Sequence, residues 1–367
     1  MGKAVIYIFV FLCSAFLFRI TENRKGNFVN ICHIIAIALP ALLAMFRADQ
    51  IGIDVLVYVK RFFFIACNSS TFTQYRHVIN TEFGYKLLNY VVSRLTHQLC
   101  VLHLCNQLLM LMPIYLAVKK LKNIVPLWLG MLAYYLMFYN VSLNVVRQGI
   151  ACAWLFYAFV SWWYKEYKKS LGFLIVAISF HITALFGGAI LGGVLFLIRR
   201  EKINKVALFA LFVAAIIVSY NYLTIIEYIL QYFPRQYITK FTKYLYTEQV
   251  TSGIGITYLF TRLLCIGILV LLCLEKKYIY ENRCLLIVEV FSIMFIPIAV
   301  KIDFGYRLLR YLDLCSIVII PELLLLANNR KINRLICEFI AVTSMLVFWI
   351  ITYVIRNNGG TIPYKLA

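Results

Sequence analysis

The sequence has few charged residues: 14% of its 367 residues are Asp, Glu, Lys or Arg, whereas 63% are hydrophobic. Soluble domains are about 25% charged and about 45–50% apolar, so this composition excludes an ordinary soluble enzyme. The apolar residues form runs long enough for helices to cross a bilayer, not the short alternating stretches of a transmembrane β-barrel. We therefore predict an all-α polytopic membrane protein, with one integral membrane domain over residues 1–367.

The sequence also lacks the motifs that hold metals and nucleotides. Its 11 cysteines and five histidines form no CxxC pair and no cluster at metal-ligand spacing. It contains neither a GxGxxG motif nor a P-loop. We therefore expect no metal and no cofactor, and we interpret the cysteines as small buried hydrophobic side chains.

Acidic residues are scarce: 15 Asp and Glu stand against 36 Lys and Arg, for a formal net charge of +21. In a soluble protein this excess would suggest a nucleic-acid partner. Here, however, 19 of the 36 basic residues lie in six short stretches between apolar runs, at 19–27, 119–122, 165–169, 199–205, 275–283 and 329–334. This is the positive-inside pattern, so we expect no nucleic acid, these stretches on the cytoplasmic side, and two long outer loops at 47–97 and 224–255.

The apolar runs predict about ten transmembrane helices, because each crossing needs about 20 residues. They lie near 3–20, 28–46, 98–118, 124–142, 147–164, 206–223, 256–274, 285–300, 307–327 and 336–355. The stretch 171–198 is too long for one straight crossing, too short for two, and flanked by basic residues at both ends. It predicts a re-entrant or broken-helix hairpin, which would line a site because irregular backbone needs protein cover or water at membrane depth. The alternative is one long tilted helix.

The first outer loop contains an amphipathic segment over 83–95. Its stripe of Leu87, Leu88, Val91, Val92 and Leu95 predicts a helix lying at the membrane interface. Tyrosines and cations in both outer loops would suit contacts with sugars and phosphates. They would equally suit an aromatic belt at the lipid headgroups.

Several ionisable groups are not explained by membrane orientation. They are Arg47, Asp49 and Asp54 after the second helix, Arg147 and Gln148 at the start of the fifth, His181 within 171–198, and the ladder Asp303, Arg307, Arg310 and Asp313. Such groups are costly near a membrane and are functional hypotheses by default. The alternatives are arginines that snorkel to headgroups, a hydrogen-bonded core histidine, and a ladder in which each aspartate neutralises an arginine.

The order of these motifs resembles the EpsG family of multi-spanning polysaccharide polymerases, which are related in role to Wzy-type O-antigen and capsule polymerases. The resemblance rests on five segments: Arg47 with Gly52-Ile53-Asp54 and Tyr58, Glu82-Phe83-Gly84-Tyr85 with Leu88-Asn89, Arg147-Gln148-Gly149-Ile150-Ala151, Phe180-His181-Ile182-Thr183-Ala184-Leu185, and Arg307-Leu308-Leu309-Arg310-Tyr311.

The resemblance implies a polymerase of O-antigen, capsule or exopolysaccharide in the bacterial cytoplasmic (inner) membrane. It would join oligosaccharide repeat units carried on polyprenyl (undecaprenyl) diphosphate at the outer face, among membrane lipids and alongside a flippase and a chain-length regulator. A lipid-linked oligosaccharide flippase or transporter is an alternative, although the internal repeat common in transporters is not visible. An oligosaccharide ligase would need the same parts.

The resemblance also suggests roles for individual residues. The candidate catalytic residues are Arg147, which would bind the departing diphosphate, and His181 and Asp54, which compete as the base, with His181 ranked first. The candidate substrate-binding residues are Arg47 at the diphosphate, Arg307 and Arg310 at the second lipid-linked substrate or its first sugar, and Glu82, Tyr85 and Gln148. Arginine suits these positions because it is permanently charged and offers bidentate donors.

Overall fold

The computed structural model describes residues 2–199, 256–273, 279–296, 306–325 and 333–367, with isolated positions between 213 and 228. All regular elements in these ranges are helices and none is a β-strand, as the composition predicts. Two stretches of the predicted architecture, the span 206–223 and the outer loop 224–255, lie almost wholly outside the described residues.

The described residues form sixteen α-helices. They are α1 (Gly2–Ile20), α2 (Asn27–Met45), α3 (Arg61–Cys67), α4 (Phe72–Val78), α5 (Phe83–Leu95), α6 (Leu99–Lys120), α7 (Leu127–Tyr134), α8 (Asn140–Asn144), α9 (Val146–Trp163), α10 (Tyr167–Phe180), α11 (Ala184–Arg199), α12 (Ile256–Cys273), α13 (Ile279–Met294), α14 (Tyr306–Asp313), α15 (Ser316–Ile319) and α16 (Arg334–Trp349). Short π-helical segments cover Val55–Lys60, Tyr135–Tyr139 and Ile350–Ile355.

Three described helices are long and apolar enough to cross a membrane: Asn27–Met45, Leu99–Lys120 and Arg334–Ile355. Shorter apolar helices cover Ala4–Ile20, Ala184–Phe196, Tyr258–Leu272 and Cys284–Met294. This pattern is that of a helical membrane protein, but the count of about ten spans is not confirmed. The predicted helix 307–327 is not continuous, because α14 ends at Asp313 and turns interrupt the chain at 314–315 and 320–322.

The stretch 171–198 is broken, which excludes one continuous helix. Helix α10 ends at Phe180, His181 takes an extended conformation with φ −157° and ψ 118°, and α11 begins at Ala184. The break therefore lies at His181, before the glycine pairs of α11. A re-entrant path through the membrane stays a prediction.

The chain forms two compact units: residues 1–185 with 316–367, and residues 186–315. A single integral membrane domain therefore stays a prediction. In the first unit, α1, α2, α6, α7, α9 and α16 surround an aromatic core in which the rings of Phe11 and Tyr135 stack at 5.3 Å between centroids. The hydroxyl groups of Tyr7 and Tyr364 donate to the carbonyls of Thr361 and Leu43, which fixes the C-terminal tail on this core.

The segment after α2 is held closely against α8. The amide of Asp54 donates to Asn144 Oδ1 at 2.8 Å. Gly52 has φ +93°, and a Cβ atom built there would lie 2.9 Å from the carbonyl oxygen of Leu143. Only glycine adopts this backbone without strain in so little space. The close approach places Arg47 and Asp54 beside the start of α9.

Candidate functional site

Three helix ends meet in the first unit and bring together Glu82, Arg147 and His181. Glu82 precedes α5, Arg147 is the second residue of α9, and His181 follows α10. Arg147 Nη1 donates to Glu82 Oε2 at 2.5 Å and to Thr81 Oγ1 at 2.7 Å. The Thr81 hydroxyl in turn donates to Glu82 Oε2 at 2.9 Å. Glu82 and Arg147 are separated by 65 positions in the sequence, so this pair is a product of tertiary packing.

The ion pair keeps the Glu82 carboxyl charged although the group is largely buried. Burial alone would raise its pKa, but the Arg147 guanidinium and then His181 favour the charged form. The pKa of Glu82 therefore lies below its usual value. A lowered folded-state pKa means that the pair is fully formed at neutral pH and is lost only as the pH falls through that value.

His181 is positioned by its own turn. Its Nδ1 atom lies 2.6 Å from Thr183 Oγ1, and its amide donates to the carbonyl of Ala177, which ends α10. The contact with Thr183 thus fixes the orientation of the imidazole ring. The electrostatic influence of His181 on Glu82 agrees with the close packing of their helices.

A close approach between α5 and α10 sets the position of Glu82. A Cβ atom built on Gly84 would lie 2.5 Å from Ser179 Oγ and 2.8 Å from the Ser179 carbonyl oxygen. No side chain fits in this space. Gly84 follows Glu82 by two residues and Ser179 precedes His181 by two, so this contact holds the two site residues together.

Gly84→Ala should therefore destabilise the protein, whereas Gly172→Ala should not. Alanine at 84 would push α5 away from the backbone of α10, at a cost of about 1–3 kcal/mol. Gly172 also lies in α10, but a Cβ atom there meets nothing within 4 Å, so alanine should be neutral or slightly stabilising. Thermal unfolding of the purified proteins in detergent would measure both effects. Equal midpoints for the two variants would contradict the role of Gly84.

Arg47 is buried, with 2% of its surface exposed. Its Nη1 donates to the carbonyl of Leu143 at 2.8 Å, and its Nη2 donates to His103 Nδ1 at 3.3 Å. No carboxylate of the described residues forms an ion pair with it. The alternative that Arg47 snorkels to headgroups is therefore wrong. Its role as a diphosphate ligand stays a prediction and requires a ligand that enters the interior of this unit.

The other predicted residues of the first unit surround the same region. Tyr85 and Gln148 are buried, and Tyr85 lies within the electrostatic range of both Arg47 and Arg147. Asp54 is partly exposed at the start of a π-helical segment, where its amide is bound by Asn144. The structure thus brings together Arg47, Glu82, Tyr85 and Arg147, with His181 alongside.

Arg307 and Arg310 lie in the second unit, on the short helix α14, and both are partly buried. Asp313 at the end of this helix accepts a hydrogen bond from the Tyr258 hydroxyl at 2.9 Å and lies 3.4 Å from Arg262 Nη1. Asp313 therefore has a cationic partner on another helix, Arg262, and the self-neutralised ladder stays an untested alternative. Asp303 lies outside the described residues.

The structure also shows charged residues that the sequence analysis did not single out. Arg262 Nη1 lies 2.9 Å and 3.0 Å from the two carboxylate oxygens of Glu289, and both side chains are almost fully buried. In the first unit His103 and Asn106 are buried on α6. The available signal was the presence of lone polar or ionisable residues within apolar runs, which in a membrane protein are seldom incidental.

The EpsG family model matches residues 30–366, which is nearly the whole chain and includes every residue of the candidate site. The chain therefore belongs to the EpsG family, as its motifs predict. No curated protein and no solved structure shows significant similarity to it. Family membership indicates a Wzy-like polysaccharide polymerase, and hence polymerase-type glycosyl transfer by a membrane protein.

Proposed function

We propose that this EpsG family protein is a polymerase that joins polyprenyl-diphosphate-linked oligosaccharide repeat units at the outer face of the bacterial cytoplasmic membrane. The observation that carries the proposal is the meeting of Arg147, Glu82 and His181 where three helices end. A polymerase needs an anion-binding group and a base at one place. In this proposal Arg147 is the anion-binding group and His181 is the base.

The reaction requires few groups. A hydroxyl of the acceptor sugar attacks the anomeric carbon of the donor, the bond from that carbon to the diphosphate oxygen breaks, and the hydroxyl proton passes to a base. The diphosphate leaves as an anion and needs positive charge beside it. Arg147 supplies this charge, because its side chain is 27% exposed and Nη1 alone makes its two hydrogen bonds to Glu82 and Thr81.

His181 is the favoured base. For its Nε2 to accept a proton, Nδ1 must carry the other proton and donate it to Thr183 Oγ1. The negative charge of Glu82 would then stabilise the imidazolium that forms. Asp54 is the rival base, and its amide is bound by Asn144 Oδ1 in the segment after α2.

Arg307 and Arg310 are proposed to hold the second lipid-linked substrate or its first sugar. Their helix, α14, presents two guanidinium groups three residues apart and therefore on one face. A diphosphate carries enough charge to bind both. The lipid carriers, a flippase that delivers them and a chain-length regulator are the proposed partners.

Thr183→Val should lower turnover about tenfold, whereas Thr183→Ser should keep it. Valine has the shape of threonine but cannot accept the Nδ1 proton, so the tautomer that makes Nε2 a base would no longer be favoured. Polymer formation from lipid-linked units by membranes containing equal amounts of each variant would measure the effect. Equal turnover with valine and serine would show that Thr183 does not position His181.

Electrophoretic profiling of surface polysaccharide in a deletion strain tests the proposed function. Loss of the long-chain ladder, with single repeat units still attached to their outer acceptor, is the expected result. Unpolymerised units trapped on lipid at the cytoplasmic face would instead indicate a flippase. Long chains accumulating on the lipid carrier would indicate a ligase. Either of these two results would overturn the proposal.

A further inference from the structure

Five buried polar side chains form a cluster in the first unit, close to Arg147. They are Arg47, Tyr85, Asn89, His103 and Asn106, and each is at most 2% exposed. Tyr85 and Asn89 are four residues apart on α5, and His103 and Asn106 are three apart on α6, so each pair lies on one face of its helix. We call these five residues the buried polar cluster.

The members of the buried polar cluster contact one another across three elements. Arg47 Nη2 donates to His103 Nδ1 at 3.3 Å, which links the segment after α2 to α6. The Tyr85 hydroxyl lies beside the amides of Asn89 and Asn106 and within the field of Arg47, which links α5 to α6. Tyr85 also lies within the field of Arg147, so the cluster adjoins the Arg147 and Glu82 pair.

Several polar atoms of this cluster have no hydrogen-bond partner among the described residues. They are Arg47 Nε, Asn89 Oδ1, His103 Nε2 and Asn106 Oδ1, whereas the Tyr85 hydroxyl and the Asn106 nitrogen lie within reach of each other. Proteins seldom leave buried polar atoms unsatisfied, because the lost hydration is not regained. A concentration of such atoms in one place costs stability and points to a ligand.

The chemistry of the unpartnered atoms is mixed. Arginine can only donate, so Arg47 makes His103 Nδ1 an acceptor, and Nε2 of the neutral ring carries a proton that it can donate. Asn89 uses its amide nitrogen on the Tyr85 carbonyl, so its oxygen is an acceptor. The Asn106 amide oxygen is a further acceptor.

We propose that the buried polar cluster is a subsite for a hydroxyl-bearing sugar ring of the lipid-linked substrate, an inference that rests on the proposed function. A hydroxyl group both donates and accepts, and so matches donors and acceptors placed side by side. A phosphate only accepts, and the oxygens of Asn89 and Asn106 would repel it. The charge of Arg47, which no described carboxylate neutralises, favours the ring that is attached to the diphosphate.

Because every member of the buried polar cluster is at most 2% exposed, the ring reaches it only when a surrounding element moves, and we propose that α5 is that element. The face of α5 that turns away from the cluster is apolar and exposed, with Leu87, Val91 and Leu95 at 42%, 47% and 79%. An apolar outer face matches the lipid interface, where such a helix can shift without exposing polar groups to hydrocarbon.

Asn106→Leu, with Asn140→Leu as the matched control, tests the proposal. Leucine at 106 keeps the volume but removes unsatisfied groups, so the thermal midpoint of the purified protein should stay equal or rise. Asn140 is equally buried, but its amide donates to Thr361 Oγ1 at 3.1 Å and accepts from Trp349 Nε1 at 2.8 Å, so leucine there should lower the midpoint. Both midpoints would be measured in nanodiscs.

The probes are oligosaccharides released by mild acid from the surface polysaccharide of the host strain, and inorganic diphosphate. We expect the wild-type protein to bind the oligosaccharides and Asn106→Leu to bind them at least tenfold more weakly. The affinity of the two proteins for inorganic diphosphate should be the same. A lower midpoint for Asn106→Leu, similar to that of Asn140→Leu, with oligosaccharide binding intact would overturn the subsite. Absence of oligosaccharide binding by the wild-type protein would also overturn the subsite.

The same variants separate this inference from the proposed function. If the deletion strain keeps its long chains while Asn106→Leu loses oligosaccharide binding, the sugar subsite is supported and the polymerase function is contradicted. If the deletion removes the long chains but Asn106→Leu restores them and binds the oligosaccharides normally, the polymerase function is supported and the sugar subsite is contradicted.

Discussion

Arg147→Ala, expressed at the level of wild type in a deletion strain, is expected to leave the long-chain polysaccharide ladder missing. Arg147 is the accessible cation of the candidate site, and removal of one preorganised donor that stabilises a developing anion lowers turnover by about 100- to 1,000-fold in other enzymes. The substitution also leaves the Glu82 carboxylate without its ion-pair partner. Electrophoretic profiling of surface polysaccharide and the rate of polymer formation in membranes would measure the loss.

Two further variants separate the chemistry of Arg147 from a general loss of charge. Arg147→Lys keeps the charge but not the planar fork of donors, so its turnover should fall between those of wild type and the alanine variant. Arg61→Ala removes an exposed arginine at the start of α3, in the same loop region, and should give a full ladder. A full ladder with Arg147→Ala would exclude Arg147 from the site.

Local features of the site follow from local sequence. Apolar periodicity over 83–95 predicts the helix Phe83–Leu95 with the bounds that the structure shows. Length and flanking charge predict that 171–198 cannot be one straight crossing, and the break at His181 confirms it. Such features depend on residues within a few turns of one another, so the sequence alone is enough.

The pairing of distant residues could not be predicted in this way. Glu82 was a member of a motif, but nothing in the sequence matched it with Arg147, because helix packing decides which ends meet. The inward face of α5 is a second example. The apolar stripe of α5 is largely exposed, while Tyr85 and Asn89 are buried, which reverses the rule for helices in water. A helix face in contact with lipid can stay apolar and exposed, whereas polar side chains are placed inside the protein, where they find hydrogen-bond partners.

Arg262→Met is expected to destabilise the second unit strongly. Arg262 is 2% exposed and holds two buried carboxylates, those of Glu289 on α13 and Asp313 on α14. Loss of one partner of a buried ion pair costs about 3–5 kcal/mol, because the other charge stays buried without compensation. Here two carboxylates would be left facing each other. A large fall in the thermal midpoint and in the yield of folded protein in detergent would be the measured result.

A second arginine gives the scale of this effect. Arg334 Nε lies 3.1 Å from Glu338 Oε1, but the Arg334 side chain is 57% exposed, and Glu338 also has Arg19 Nη2 at 2.8 Å as a partner. Solvent screens such a pair, so Arg334→Ala should lower the free energy of unfolding by about 0.5 kcal/mol or less. The contrast between the two arginines tests burial, since both contact a glutamate at a similar distance.

The triple variant Arg262→Met, Glu289→Leu and Asp313→Asn distinguishes a charge effect from a packing effect. If the cost of Arg262→Met arises from uncompensated carboxylates, their replacement should restore most of the thermal stability, because buried ion networks and apolar residues of similar volume are often equally stable. If the midpoint stays low, the shape of the Arg262 side chain is what holds α12, α13 and α14 together. If the triple variant is stable, it folds without the Asp313 carboxylate, which in the wild-type protein fixes the end of α14. The rate of polymer formation by that variant would then report whether the carboxylate also positions Arg307 and Arg310.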